Sequence, residues 1–300
     1  MPAVTFRHST LHSSQNCFVH LHVAWRTKQF WLLWGVLCLN VTAGIGILGM
    51  ASPLLQEVFG GRLIGVKAAF TELNPDQLAQ IATLAAGFTG LLSLFNIAGR
   101  IFWASLSDRI GRKVTYAVFF LLGIALYSSI PWTAAGQQLA LFVAFFCVIL
   151  SMYGGGFSTV PAYLADIFGT KMVGAIHGRL LTAWSVAGVL GPVIVNYIRE
   201  YQLDHGIARA SVYNITMYIL AGLLAVGFIC NWLVRPVAEK DHMKEDAVGA
   251  KPAVAVAAKS TAADAADVNP AIVVLAWAAV WIPIGWGVWM TFTKAVVLFR

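Results

Sequence analysis

The fold is decided by a short charged stretch between two apolar segments, and it reads Ser107-Asp108-Arg109-Ile110-Gly111-Arg112-Lys113. The apolar segments on its two sides cover residues 81–106 and 114–130. A bilayer core takes about 20 helical residues, because each residue of a helix rises about 1.5 Å. Both segments are long enough for this. The stretch therefore predicts the tight connection between two membrane helices.

Seven apolar segments of this kind follow one another along the chain. They cover residues 30–55, 81–106, 114–130, 139–163, 173–198, 212–234 and 271–299. The composition agrees with them, since 59% of the residues are hydrophobic, 11% are charged and the mean hydropathy is +0.76. A soluble domain needs about 25% charged residues to cover its surface. The sequence therefore predicts an all-α integral membrane protein whose main partner is the lipid bilayer.

The basic residues are distributed unevenly between the two sides of the predicted membrane. If the first segment starts in the cytoplasm, the cytoplasmic flanks contain Arg26, Lys28, Arg109, Arg112, Lys113, Lys171, Arg179, Arg235, Lys240 and Lys244, and the outer flanks contain Arg62, Lys67, Arg199 and Arg209. This excess places the stretch 107–113 in the cytoplasm by the positive-inside rule. The cations lie between apolar segments and are not clustered on one polar stretch. We therefore expect no nucleic-acid partner despite the net charge of +7.

The chain is expected to divide into four parts. Residues 1–22 form an amino-terminal tail, residues 23–236 a six-helix bundle, and residues 237–269 a flexible cytoplasmic linker rich in Ala, Lys, Asp and Glu. Residues 270–300 form an additional transmembrane helix, for which Asn269 supplies an N-cap and Pro270 a first-turn proline.

The charged stretch resembles the loop signature G-x-x-x-D-R-x-G-R-K of the major facilitator superfamily, with Ala104 at the opening glycine. The oxalate/formate antiporter family of this superfamily has carboxy-terminal helices that several segments resemble, namely residues 40–46, 95–100, 153–157, 161–163, 177–185 and 188–192. The resemblance implies a six-helix half of a secondary carrier for a small organic anion, located in the plasma (inner) membrane. It implies a further partner, a missing amino-terminal six-helix half from the same gene or a separate chain. The alternative is a truncated or split membrane subunit without transport activity of its own.

Arg100 is the leading candidate for a substrate-binding residue. It lies about seven residues inside the predicted helix, and a cation at that depth is costly unless it is paired or faces a watery cavity. Asn96 lies one turn away and is expected to share an anionic ligand. A structural ion pair of Arg100 remains an open alternative.

The resemblance adds Thr182 and Trp184 to the substrate-binding candidates. By this resemblance, the family's oxalate transporters carry a second basic residue, a Lys, after Thr-Ala in the helix similar to residues 177–192, whereas this chain has Trp184 at that position. One arginine and an indole fit a monocarboxylate better than a dianion. The alternative interpretation is that Trp184 only packs against neighbouring helices.

Asp108, Arg109, Gly111, Arg112 and Lys113 are candidates for a conformational gate. Their charges are able to form hydrogen bonds between neighbouring helices in one conformation and release them in another. The simpler reading is a basic cytoplasmic turn. Asp166 is expected to pair with Lys171 in a nearby loop.

The sequence offers no catalytic or metal-binding constellation within its apolar segments. The four cysteines are scattered singly, and no Ser/His/Asp set or pair of carboxylates occurs there. We therefore expect no enzyme activity, no cofactor and no metal.

Overall fold

The computed structural model describes residues 18–238, 241–243 and 270–296, and this part of the chain is built from helices. The helices are α1 (Leu21–Ala24), α2 (Lys28–Phe59), α3 (Pro75–Ile110), α4 (Arg112–Ala135), α5 (Leu139–Phe168), α6 (Val173–Leu180), α7 (Thr182–Asp204), α8 (Asn214–Leu233) and α9 (Pro270–Ala295). Short 3₁₀ turns occupy Gly60–Ile64, Phe70–Glu72 and Arg209–Ser211. An isolated antiparallel bridge joins Val19 to His242.

The prediction of an all-α membrane protein is confirmed. Among the described residues, six spans are long and apolar enough to cross a membrane, and they are Lys28–Ile64, Pro75–Ile110, Arg112–Ala135, Leu139–Phe168, Val173–Asp204 and Arg209–Leu233. Residues Pro270–Ala295 form a helix, α9, whose crossing of the membrane stays a prediction. Most of the predicted tail 1–22 and linker 237–269 lies outside the described residues.

Several helices begin or end beyond the apolar segments because polar residues cap them. Asn74 and Gln77 form a capping box at the start of α3, with Gln77 N donating to Asn74 Oδ1 at 2.8 Å and Asn74 N to Gln77 Oε1 at 3.1 Å. Pro75 occupies the first turn, where its missing N–H costs nothing. The helix therefore starts six residues before the predicted residue 81.

The fifth predicted segment is interrupted by one residue, Leu181, between α6 and α7. The hydroxyl of Thr182 donates to the carbonyl of Arg179 at 2.9 Å, and Trp34 Nε1 of α2 donates to the same hydroxyl at 3.0 Å. Such a side-chain bond to the backbone competes with the regular helical pattern and bends helices. The span predicted for residues 173–198 is confirmed within Val173–Asp204, and the structure divides it into two helices at Leu181.

The bundle is centred on α2 and α5, which are the most buried of the six spans, whereas α7 and α3 are the least buried. α3 packs mainly against α5, α7 against α2, and α4 against α8. The contact of α3 with α5 is close because α5 has Gly154 opposite the backbone of Asn96. α9 lies against α3, where a Cβ at Gly90 would be 2.7 Å from Thr291 Cγ2.

Candidate functional site

Arg100 lies on the exposed side of α3, and it contacts an aromatic ring of α5. Its Cζ is 5.9 Å from the ring centroid of Phe157, within the range of a cation–π interaction. Because α3 continues to Ile110, Arg100 lies ten residues, or about 15 Å, inside the helix end. It is thus deeper than the sequence predicted, and no carboxylate of the described residues pairs with it.

Phe157 also contacts two further aromatic side chains, one on α7 and one on its own helix α5. The Trp184 ring of α7 meets Phe157 edge-on at 5.9 Å, and the Tyr153 ring meets it edge-on at 5.6 Å. Trp184 is 44% exposed, whereas Tyr153 is buried. Arg100 and Trp184 therefore flank Phe157 on a surface formed by α3, α5 and α7. We call Arg100, Phe157 and Trp184 the aromatic-cation surface.

Asn96 lies apart from this surface although it is one turn from Arg100. It is buried between α3 and α5, and a Cβ at Gly154 would be 2.7 Å from its Oδ1. In the described part of the chain this Oδ1 has no hydrogen-bond partner. Asn96 was expected to share an open ligand site with Arg100, whereas the structure places its side chain in the closed contact between α3 and α5.

Thr182 is exposed, and its hydroxyl connects α7 to α2 through the bond from Trp34. It lies beside the interruption at Leu181 and two residues before Trp184. Thr182 therefore belongs to the contact between α2 and the start of α7.

The charged stretch forms the connection between α3 and α4, as its sequence indicated. Gly111 has φ +87°, a conformation that side chains rarely adopt, and its N–H donates to Ser107 O at 2.9 Å. Arg112 forms an ion pair with Asp108, which joins the end of α3 to the start of α4. Arg109 is exposed. We call the end of the bundle with this connection the signature end.

Two residues of the stretch reach further helices. Arg112 Nε lies 3.7 Å from Asp166 Oδ2 in the last turn of α5, so Asp166 belongs to a helix rather than to the predicted loop. Lys113 Nζ donates to Trp232 O at 3.0 Å and to Val234 O at 2.7 Å, at the end of α8. A cation on these last carbonyls complements the helix dipole. The stretch thus joins α3, α4, α5 and α8.

A buried ion cluster at the opposite end was missed by the sequence reasoning. Glu57 of α2 is 5% exposed and accepts hydrogen bonds from Arg199 Nε at 2.9 Å, Arg209 Nη1 at 2.8 Å and Tyr213 Oη at 2.8 Å. Arg199 Nη2 forms a second bond to it. An acidic residue at the end of an apolar segment was the signal that could have revealed the cluster.

Cavities occur at both ends of the bundle. One of about 930 Å³ adjoins Glu57, Arg62, Lys67 and Arg209, and one of about 600 Å³ lies at the signature end between the start of α2 and the end of α8. Arg100 lines neither of them. No group of three His, Cys, Asp or Glu side chains within the described ranges is placed to hold a metal ion.

Comparison with known proteins places these features in a family. Residues 6–192, more than half of the chain, match the family model described as Major Facilitator Superfamily. The chain is 29% identical over 166 residues to the oxalate:formate antiporter of Oxalobacter formigenes, which is 55% of this chain and 35% of that protein. It is 30% identical over 226 residues to apicoplast pyruvate carrier 1 of Toxoplasma gondii, which is 73% of this chain and 36% of that protein. The probable metabolite transport protein CsbC of Bacillus subtilis is 30% identical over 192 residues, 61% of this chain and 40% of that protein.

The six apolar spans define a multi-pass membrane protein. The chain belongs to the major facilitator superfamily, a family of transporters. The resemblance predicted from the charged stretch is therefore confirmed, and an oxalate:formate antiporter is among the relatives. The chain spans 35 to 40% of the length of these three relatives.

Proposed function

We propose that the chain is one half of a secondary carrier that moves a small organic anion, preferably a monocarboxylate, across the plasma (inner) membrane. The observation that carries this proposal is the position of Arg100, a deep cation on an exposed membrane-level surface. Since no described carboxylate compensates its charge, an anion in a watery cavity is the partner that would stabilise it.

The aromatic-cation surface favours one carboxylate group over two. A guanidinium binds a carboxylate through two parallel hydrogen bonds, and the faces of Phe157 and Trp184 offer apolar contact beside it. A dianion would leave its second charge against these rings. By their printed names, the relatives include a pyruvate carrier and an oxalate:formate antiporter, which supports the class of small carboxylates for this chain.

The second wall of the cavity would come from another six-helix half. Carriers of this superfamily bind substrate between two halves, and α3 and α7, which carry Arg100 and Trp184, are the least buried spans. The short coverage of the relatives supports the same arrangement. In alternating access, the bonds that join Asp108, Arg112 and Asp166 would hold one conformation at the cytoplasmic side.

The test is carboxylate binding by the purified 300-residue chain. Thermal unfolding is followed in a panel of formate, acetate, pyruvate, oxalate and succinate at constant ionic strength. We expect stabilisation by monocarboxylates that Arg100→Lys weakens by about ten- to a hundredfold in apparent affinity, because Lys lacks the paired geometry. Arg62→Gln, which removes an exposed cation outside the gate and binding candidates, is the matched control.

Two outcomes would contradict the proposal. Carboxylate stabilisation that persists in Arg100→Ala would exclude the binding role. Unfolding of Arg100→Ala with no stabilisation of the unaltered chain would make the arginine structural and would favour the alternative, a membrane subunit without transport activity. A separate measurement of carboxylate exchange in proteoliposomes tests whether transport requires a second six-helix half.

A further inference from the structure

A groove at the signature end combines clustered positive charge with an apolar wall. It has a volume of about 600 Å³ and lies where α2 begins and α8 ends. Gln29 Nε2 donates to Pro236 O at 3.2 Å and holds these two helix ends together. The groove is distinct from the aromatic-cation surface, since none of its lining residues belongs to that surface.

The rim of the groove contains three cations, Arg26, Lys28 and Arg235. All three are exposed, and none forms an ion pair with a carboxylate among the described residues. Among the described residues, no acidic side chain lines the groove. Three uncompensated cations on one concave surface favour an anionic group of compact size.

The wall of the groove is apolar. Trp31, Leu32 and Leu233 line it, and Trp31 is 55% exposed. The neighbouring Trp232 is also exposed. Exposed tryptophans at helix ends are typical of the membrane interface, where the polar headgroups lie. A free anion would gain nothing from this wall, whereas an acyl chain would cover it.

We propose that this groove between α2 and α8 binds one anionic phospholipid, with the phosphodiester between Arg26, Lys28 and Arg235 and an acyl chain along Trp31, Leu32 and Leu233. Basic residues next to transmembrane helices attract anionic lipids of the cytoplasmic leaflet. The excess of Lys and Arg places this end of the bundle on that side. The proposal is independent of the transported substrate.

Lys113 is a neighbouring cation that does not take part. Its ammonium group already donates to Trp232 O and Val234 O, so it caps the end of α8, and it does not line the groove. The lipid would therefore add to this cap and tie the start of α2 to the end of α8.

The experiment is native mass spectrometry of the full chain released from bilayers of equal amounts of phosphatidylglycerol and phosphatidylcholine with the same acyl chains. Each cation near an anionic lipid contributes about fivefold in affinity. We expect preferential retention of one phosphatidylglycerol, and about a 25-fold loss of this preference in Lys28→Gln/Arg235→Gln. The control Arg62→Gln/Lys67→Gln removes the same charge at the opposite end and should keep the preference.

Three results would overturn the proposal. One is equal retention of the two lipids by the unaltered chain, as expected if the chain's own acidic residues beyond residue 238 occupy the groove. Another is an equal loss in the control variant. The third is displacement of the lipid by millimolar inorganic phosphate, which would make the groove a free-anion site. If the double variant does not fold, Lys28→Gln and Arg235→Gln are measured singly, each with an expected loss of about fivefold.

Discussion

Glu57 of α2 and Arg199 of α7 form a two-bonded ion pair that ties these helices together at the end opposite the signature end. Arg209 and the Tyr213 hydroxyl complete the shell of the carboxylate. A buried carboxylate of this kind stabilises a fold only as long as all its partners remain, because an unpaired buried charge is costly. The cluster thus links the end of α2 to α7 and to the start of α8 through one carboxylate.

The first prediction concerns this cluster. Glu57→Gln leaves two arginines without their counter-charge, and we expect the free energy of unfolding to fall by about 3–5 kcal/mol. SDS titration of the protein in mixed micelles measures it. Arg62→Gln, which removes an exposed cation at the same end, should change it by less than about 0.5 kcal/mol. Equal stability of Glu57→Gln and the unaltered chain would show that the cluster is not stabilising.

The second prediction concerns the turn of the signature stretch. Gly111→Ala places a side chain at φ +87°, so we expect a loss of about 1–3 kcal/mol in the free energy of unfolding although no neighbour lies within 4 Å of the new Cβ. Gly188→Ala is the matched control, because this helical glycine also has open space around it. There we expect a gain of up to about 1 kcal/mol. A loss of the same size in both variants would contradict the conformational argument.

The spans follow from the sequence because their signal is local. Long apolar segments and the charged stretch 107–113 are enough to predict the α3–α4 connection, whose Gly111 adopts the required conformation. The start of α3 was missed since Asn74, Pro75 and Gln77 are polar and lie outside the apolar run. The interruption at Leu181 was missed since this residue is apolar and lies inside an apolar segment.

The partners of the candidate residues were less predictable because they are distant in the chain. Glu57 lies 142 residues from Arg199 and 152 from Arg209. Phe157, the ring between Arg100 and Trp184, was seen only as part of a resembling segment. Depth in a helix was sufficient to select Arg100, but the burial of Asn96 depends on Gly154 of another helix.

The third prediction concerns orientation. With Arg109 and Ala135 replaced singly by cysteine in a cysteine-free background, an impermeant maleimide added to intact cells should label position 135 and not position 109. Both residues are exposed, and they lie at opposite ends of the α3–α4 hairpin. Labelling of both positions after the cells are opened is the control for accessibility. The reverse pattern would place the signature end outside.

The last prediction concerns Phe157, which lies between Arg100 and Trp184, the two substrate-binding candidates of the aromatic-cation surface. Phe157→Leu keeps an apolar side chain but removes the ring that faces Arg100 at 5.9 Å and Trp184 at 5.9 Å. A partly exposed cation–π contact contributes about 0.5–1 kcal/mol, so we expect about a two- to fivefold weaker carboxylate affinity with little change in thermal stability without ligand. Thermal unfolding against carboxylate concentration measures both quantities. Ile101→Leu alters an exposed residue next to Arg100 and should leave the affinity unchanged. If Phe157→Leu and Ile101→Leu behave alike, the ring does not position the arginine, and Arg100 holds its orientation through α3 alone.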